Sequence, residues 1–165
     1  MHGSVDRAFS AQAGAVIPMV PMTQVVQMTQ EERQVVPQKQ YAVLLIDDNA
    51  IQAATRQAIL RRAGYFVIAA LHPVRALEQF QNADFPAEIC AVITDHIMPG
   101  MSGSQFVREL RKIQPDLPVM VVSGMDEAEP EYEGMNVVFL LKPLLPDLML
   151  SNLRDLLQQD QQGAA

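Results

Sequence analysis

Five polar side chains stand where apolar runs of this sequence stop. Asp47 and Asp48 close AVLLIDD, Asp95 closes ICAVITD, Ser123 closes PVMVVSG and Lys142 closes VVFLLKP. The set is three carboxylates, a hydroxyl and an ammonium. Carboxylates at close quarters suit a hard divalent cation. A carboxylate, a hydroxyl and a lysine around that cation suit the oxygens of a phosphoryl group. A short, continuous apolar run marks a strand buried on both faces of a parallel sheet. In an open α/β sheet, ligands bind beyond the carboxyl ends of the strands. One rule therefore brings all five side chains to the same edge.

The elements that must position them alternate from Tyr41 onward. Strands are expected over residues 41–46, 66–70, 89–94, 119–122 and 137–141. A helix over 50–62 would bury Ile51, Ala54, Ala58 and Ile59, with Gly64 just past its end. A second opens at Pro73 and buries Leu77 and Phe80. A third starts after Gly103 with Phe106, Leu110 and Ile113 at helical spacing, and the last starts near Pro146 with Met149, Leu153, Leu156 and Leu157. Such βα units make a doubly wound α/β fold, a five-stranded parallel sheet with helices on both faces. The stretch after Ser123, GMDEAEPEYEGMNVVFL, breaks the pattern with Pro130, the acids Asp126, Glu127, Glu129, Glu131 and Glu133, and no base. Like charges and an interior proline oppose a long helix, so a short turn or a loop is expected there.

The bulk numbers narrow the function. A chain of 165 residues holds one ordinary domain. Its formal net charge is −7. In segment 1–40, Arg7, Arg33 and Lys39 balance Asp6, Glu31 and Glu32, so the excess acid lies in 41–165. That opposes nonspecific affinity for nucleic acid or an anionic membrane. The single Cys90 excludes an internal disulfide, and its place in an apolar strand predicts a buried structural thiol. No apolar run approaches the roughly 20 residues a bilayer requires. AGAVIPMV near the start is short, holds a proline and lacks a positive flank, so no signal peptide is read and a cytoplasmic location is expected. Residues 1–40, with Pro18, Pro21, Pro37 and many glutamines, read as a flexible N-terminal arm. Within it, TQEERQVV offers a short helix capped by Thr29, and the apolar stretch Ala15 to Met22 offers a docking segment.

LLIDDN, VITDHIMPGMSG, VVSG and FLLKP stand in this order, each at a strand end. From about Tyr41 to Gln158 the chain resembles a response-regulator receiver domain of two-component signalling. The resemblance implies a flavodoxin-like strand order 2-1-3-4-5 for a receiver at 41–160; it does not cover the arm at 1–40, and a short C-terminal tail is expected at 161–165. It implies that Asp95 accepts a phosphoryl group from a histidine kinase or a histidine phosphotransfer protein. It implies Mg2+ held by Asp48, Asp95 and the backbone carbonyl of Ile97, with Asp47 reaching metal-bound water. Lys142 would pair with the phosphoryl oxygens, and Ser123 would turn to hydrogen-bond them. Phe139 occupies the family's switch-aromatic position, although it lacks the hydroxyl of the tyrosine often found there. Pro143 fits a cis peptide, Gly124 leaves room beside the acceptor, and Gly103 opens the third helix. Ile97 and Met125 flank the approach of a hydrolytic water. The polar residues QQDQQGAA after the last helix leave no space for an output module, so a stand-alone receiver is expected. It would be a signalling module rather than an enzyme, acting through an unidentified downstream protein, without nucleic acid or membrane.

Other readings of these residues are weaker. Asp47 and Asp48 alone could cap the first helix. A haloacid-dehalogenase-type phosphatase needs Asp-x-Asp after strand one, and Asp47-Asp48-Asn49-Ala50 lacks the second acid. A pseudo-receiver that binds a partner without phosphorylation does not need the complete acid, hydroxyl and lysine set. A flavodoxin-like cofactor binder would want a Ser, Thr or Gly-rich loop where DDNAIQ stands. His96 beside Asp95 has no second His or Cys nearby in sequence, so it reads as a packing residue rather than a metal ligand.

Overall fold

The computed structural model describes residues 40–163, with side chains described through Asp160. The arm, its short helix and apolar segment, and the tail beyond 163 lie outside the described residues. Nine elements follow one another: β1 (Tyr41–Ile46), α1 (Ala50–Arg62), β2 (Val67–Ala70), α2 (Pro73–Asn82), β3 (Glu88–Asp95), α3 (Gly103–Ile113), β4 (Val119–Ser123), β5 (Val138–Leu141) and α4 (Pro146–Gly163). Between β4 and β5 stands a 3₁₀ helix, Asp126–Tyr132. The five strands form one sheet in the order β2-β1-β3-β4-β5, and every pair is parallel. This is the doubly wound order expected from the resemblance.

Alternation along the strands divides the core between the two faces. Val43, Leu45, Ala91, Ile93, Met120 and Val122 meet Leu60 of α1 with Met149 and Leu153 of α4. Leu44, Ile46, Val92, Val119 and Val121 meet Ala76 and Leu77 of α2, Phe106, Val107 and Leu110 of α3, and Tyr132 of the 3₁₀ helix. Because helices cover both faces, the strands bury side chains on both, which is why they read as unbroken apolar runs. The 3₁₀ segment is the short turn expected from Pro130 and the acidic run. Gly64 takes φ +93° after α1, a conformation that only glycine adopts cheaply.

Two readings of the pattern need correction. The buried stripe of α1 is Ala53 and Leu60, whereas Ile51, Ala54 and Ala58 are exposed and Ile59 is half-buried. Ile51, 80% exposed, sits in the first turn, level with the strand ends and beyond the sheet it was expected to cover. Cys90 is only half-buried. The β1–β3 register passes from Ala42↔Ile89 to Val43↔Ala91, so Cys90 is the extra residue of a bulge, displaced from the regular ladder. Its thiol donates to the Ala42 carbonyl at 3.4 Å, and burial pushes its pKa up.

Candidate functional site

Strand register brings the polar residues together. Ile46 pairs with Thr94, which sets Asp47 beside Asp95. Asp95 pairs with Val122, so Ser123 lies one step further along the same edge. Ser123 pairs with Leu141, so Lys142 follows one step beyond that. Asp47, Ser123 and Lys142 directly follow the last apolar position of their strands, and Asp95 follows Thr94.

One carboxylate oxygen from each of Asp47, Asp48 and Asp95 lies within 4.8 Å of the others. Asp47 and Asp95 are buried and Asp48 is exposed. The cap of α1 is Asn49, whose side chain accepts from the N–H groups of Ile51 and Gln52 at 3.1 Å. The acids are therefore not occupied in capping. Asp47 Oδ1 accepts from the Asn49 N–H at 2.9 Å. Its Oδ2 accepts from Arg56 Nη1 at 2.6 Å. Burial raises the Asp47 pKa from its ordinary value, against the Asn49 bond and Arg56, which lower it. Lys142 Nζ stands 2.8 Å from Asp95 Oδ1 and 3.0 Å from Oδ2, with only the second aligned as a hydrogen bond. Asp95 Oδ1 is thus a buried acceptor without an aligned donor among the described residues. Lys142 and, at 3.6 Å, Arg56 already bring positive charge to that oxygen. With three acid oxygens converging there, the residues fit a hard divalent ion.

The other expected residues take definite places. Ser123 is buried, but its hydroxyl bonds within its own loop, donating to the Met125 carbonyl and accepting from the Met125 N–H, each at 2.9 Å. Its hydroxyl makes no hydrogen bond to Asp95 in this conformation. The Lys142–Pro143 peptide is cis. Ile97 and Met125 are 58% and 45% exposed. A side chain at Gly124 would meet nothing within 4 Å, so the space beside it is open. A Cβ at Gly103 would lie 2.6 Å from the Asp95 carbonyl and 2.6 Å from the Tyr132 hydroxyl, so α3 approaches the end of β3 this closely only with glycine there.

Three participants were not singled out from the sequence. Arg56, placed on the buried side of α1 between Ala53 and Leu60, reaches Asp47 and stands 3.6 Å from Asp95 Oδ1. Gln52 Oε1 accepts from both Arg56 Nη2 at 3.3 Å and Lys142 Nζ at 3.2 Å. Tyr132 shares a 2.7 Å hydrogen bond with Nδ1 of the buried His96, and its ring tilts against Phe139 with centroids 5.6 Å apart. Burial, then Glu131 and Asp95, push the Tyr132 phenol well above its ordinary pKa, so it stays protonated. The role of His96 is therefore a packed hydrogen bond, and it lies outside the acidic cluster. Glu131 Oε1 stands 3.8 Å from His96 Nε2, while its Oε2 accepts from Ser104.

A five-stranded parallel sheet with an acidic cluster at its carboxyl edge places the protein in the class of doubly wound α/β domains. More narrowly, residues 43–154 match the response regulator receiver domain, and the chain belongs to that family. It is 34% identical over 123 residues to the C4-dicarboxylate transport transcriptional regulatory protein DctD of Pseudomonas aeruginosa, covering 72% of this chain and 26% of DctD. Among solved structures, it resembles a response regulator receiver protein from Sinorhizobium medicae at 27% identity and a TM-score of 0.65, covering 74% of this chain and 98% of that one. It also shares the fold of the response regulator TrrA from Thermotoga maritima in complex with Mg2+ and BeF, at 21% identity and a TM-score of 0.62, covering 71% and 98% of the two chains. The chain spans between about a quarter and about half of the length of the first curated relatives it matches. Among the described residues, no helix is long and apolar enough to cross a membrane.

Proposed function

We propose that this receiver takes a phosphoryl group on Asp95 from a histidine kinase or a histidine phosphotransfer protein. The observation that carries the reading is the buried Asp95 carboxylate, held by Lys142 at 3.0 Å and left with one oxygen lacking an aligned donor, within reach of two further acids. An Asp95 oxygen attacks the phosphorus of a phosphohistidine. The P–N bond breaks, the imidazole leaves with its electron pair and takes a proton, and an acyl phosphate forms. Asp48, Asp95 and the Ile97 carbonyl would hold Mg2+, with Asp47 acting through water, and TrrA of the same fold is known in complex with Mg2+ and BeF. When bound, the ion would neutralise phosphoryl oxygens, which is much of what this reaction needs. Lys142, against the Asp95 carboxylate, would supply a positive charge to the incoming group.

The output follows from what Ser123 must give up. To reach the phosphoryl group its hydroxyl must leave Met125, and those two bonds pin the start of the 3₁₀ segment. The freed segment carries Tyr132, which packs on Phe139, so a change at Asp95 is read on the β4–β5 side by a partner protein. Incubation with acetyl phosphate and Mg2+, followed by intact mass, tests the assignment. Wild type should gain one phosphoryl group and Asp95→Ala none; equal gain in both would remove Asp95 from the role.

A further inference from the structure

Arg56 occupies an odd position for a charged residue. It stands on the buried side of α1, between Ala53 and Leu60, with only 11% of its side chain exposed. Its Nη1 is 2.6 Å from Asp47 Oδ2 and 3.6 Å from Asp95 Oδ1, so it stands over two of the three acids of the cluster. A guanidinium keeps its charge at every usable pH, and it donates but never accepts. It can therefore satisfy the acids in the metal-free protein, but it cannot share their oxygens with a dication without repelling it. Nη2 also donates to Gln52 Oε1, the exposed amide that accepts from Lys142. That contact leads outward from the acids and gives the guanidinium somewhere to go.

We propose that Arg56 is a built-in competitor for the divalent cation: it neutralises Asp47 and Asp95 in the metal-free state, and occupancy of the acidic site requires its displacement toward Gln52. This rests on the reading of Asp47, Asp48 and Asp95 as a metal site. A single charge about 6 Å from a dication in a water-like dielectric corresponds to about tenfold in affinity. Removing it should tighten binding by about that factor, and it should lower the metal-free melting temperature because the buried Asp47 loses its countercharge.

Calorimetric titration of the full chain with MgCl2 compares wild type, Arg56→Gln, Arg56→Lys and Asp48→Asn. Arg56→Gln should bind about tenfold more tightly than wild type and show a larger rise in melting temperature on adding Mg2+. Arg56→Lys, which keeps the charge, should stay within about threefold of wild type. Binding that is lost in Asp48→Asn but unchanged or weaker in Arg56→Gln would overturn the competitor role while leaving the metal site in place. No binding by any of the four proteins would overturn the metal reading and this proposal with it. The side-chain Nε–H resonance of Arg56, followed by NMR in wild-type protein during the same titration, keeps the question answerable even if Arg56→Gln folds poorly. It should move as Mg2+ saturates; a resonance that stays in place would refute displacement.

Discussion

Two crossovers leave the site on the same face of the sheet, and they are held by unlike means. From β3 to β4 the chain makes α3, eleven residues with Ser102 as cap and Gln105 completing a capping box. That helix buries Gly103, Ser104, Phe106, Val107 and Leu110. From β4 to β5 the chain makes a seven-residue 3₁₀ helix with no side-chain cap, Pro130 inside it and acids throughout its first turn. Only Ala128 and Tyr132 of that segment are buried. In the first crossover, stability is spread over a helix face. In the second it is concentrated on one tyrosine, whose ring meets Phe139 and whose hydroxyl meets the residue next to Asp95. Segments with few buried contacts open at lower cost than the rest of a fold. The second crossover is therefore the place where a small change at Asp95 has the least to overcome.

The sharpest way to break this contrast is to alter one buried aromatic side chain in each crossover. Phe106→Ala should destabilise the domain by about 4 kcal/mol, the usual loss for a fully buried phenylalanine. Urea unfolding followed by circular dichroism reads it, and a loss below about 1.5 kcal/mol would mean α3 is not the anchored crossover. Tyr132→Phe keeps the ring and removes only the hydroxyl bonded to His96. It should cost about 2 kcal/mol, because the buried Nδ1 loses its partner. The same variant should raise hydrogen exchange in 126–132 before it affects α3. Equal exchange in both crossovers would count against concentration on Tyr132.

The smaller stability effect belongs to the cap of α3. Ser102→Ala removes the bond from the Gln105 N–H to Ser102 Oγ, and with it one half of the capping box. The expected loss is about 1 kcal/mol. It should leave exchange in 126–132 unchanged, because the Ser104 to Glu131 bond that ties α3 to that segment does not need Ser102. Faster exchange there would show that the two crossovers act as one unit.

This contrast also shows how far the residues alone carry. The strands and the five edge residues were legible because a doubly covered parallel strand is mostly apolar, so the polar residues that close the run mark its end. The failed helix was legible from Pro130 and the acidic run, whose effects are local. Arg56 was not legible, because the phase of α1 was set by Ile51, and Ile51 is exposed instead of packed on the sheet. The usable signal was an arginine in step with Ala53 and Leu60, nine positions after a buried aspartate. Tyr132 and His96 stand 36 positions apart, and nothing local in either announces the other. The bulge that displaces Cys90 is a property of strand pairing and is invisible in one strand's sequence. Short-range rules thus found what sequence neighbours decide, and missed what the register and the helix phase decide.

The smallest expected effect concerns the lifetime of a phosphoryl group on Asp95, and it uses the first residues of each crossover. Ile97 lies on the way to α3 and Met125 at the foot of the 3₁₀ helix. Both are apolar and partly exposed, so neither can orient a water for in-line attack on the acyl phosphate, and both can exclude one. Positioning the nucleophile is much of phosphoryl-transfer catalysis. Slow self-dephosphorylation is therefore expected in wild type. Ile97→Asn should speed decay by about threefold, roughly 0.7 kcal/mol in the barrier. Met125→Glu should do less. The Met125 backbone is held by Ser123 Oγ only while that hydroxyl stays in its own loop, and on the proposed function the hydroxyl would turn to the phosphoryl group. A side chain on a loosened backbone orients water poorly, whereas Ile97 follows His96, whose carbonyl accepts from Gly103 N–H at 2.7 Å. Decay of the phosphorylated protein, followed by intact mass after removal of the donor, ranks the two variants. Faster decay in Met125→Glu than in Ile97→Asn would mean that the short crossover stays rigid when Asp95 is modified, and the contrast between the two would lose its functional meaning.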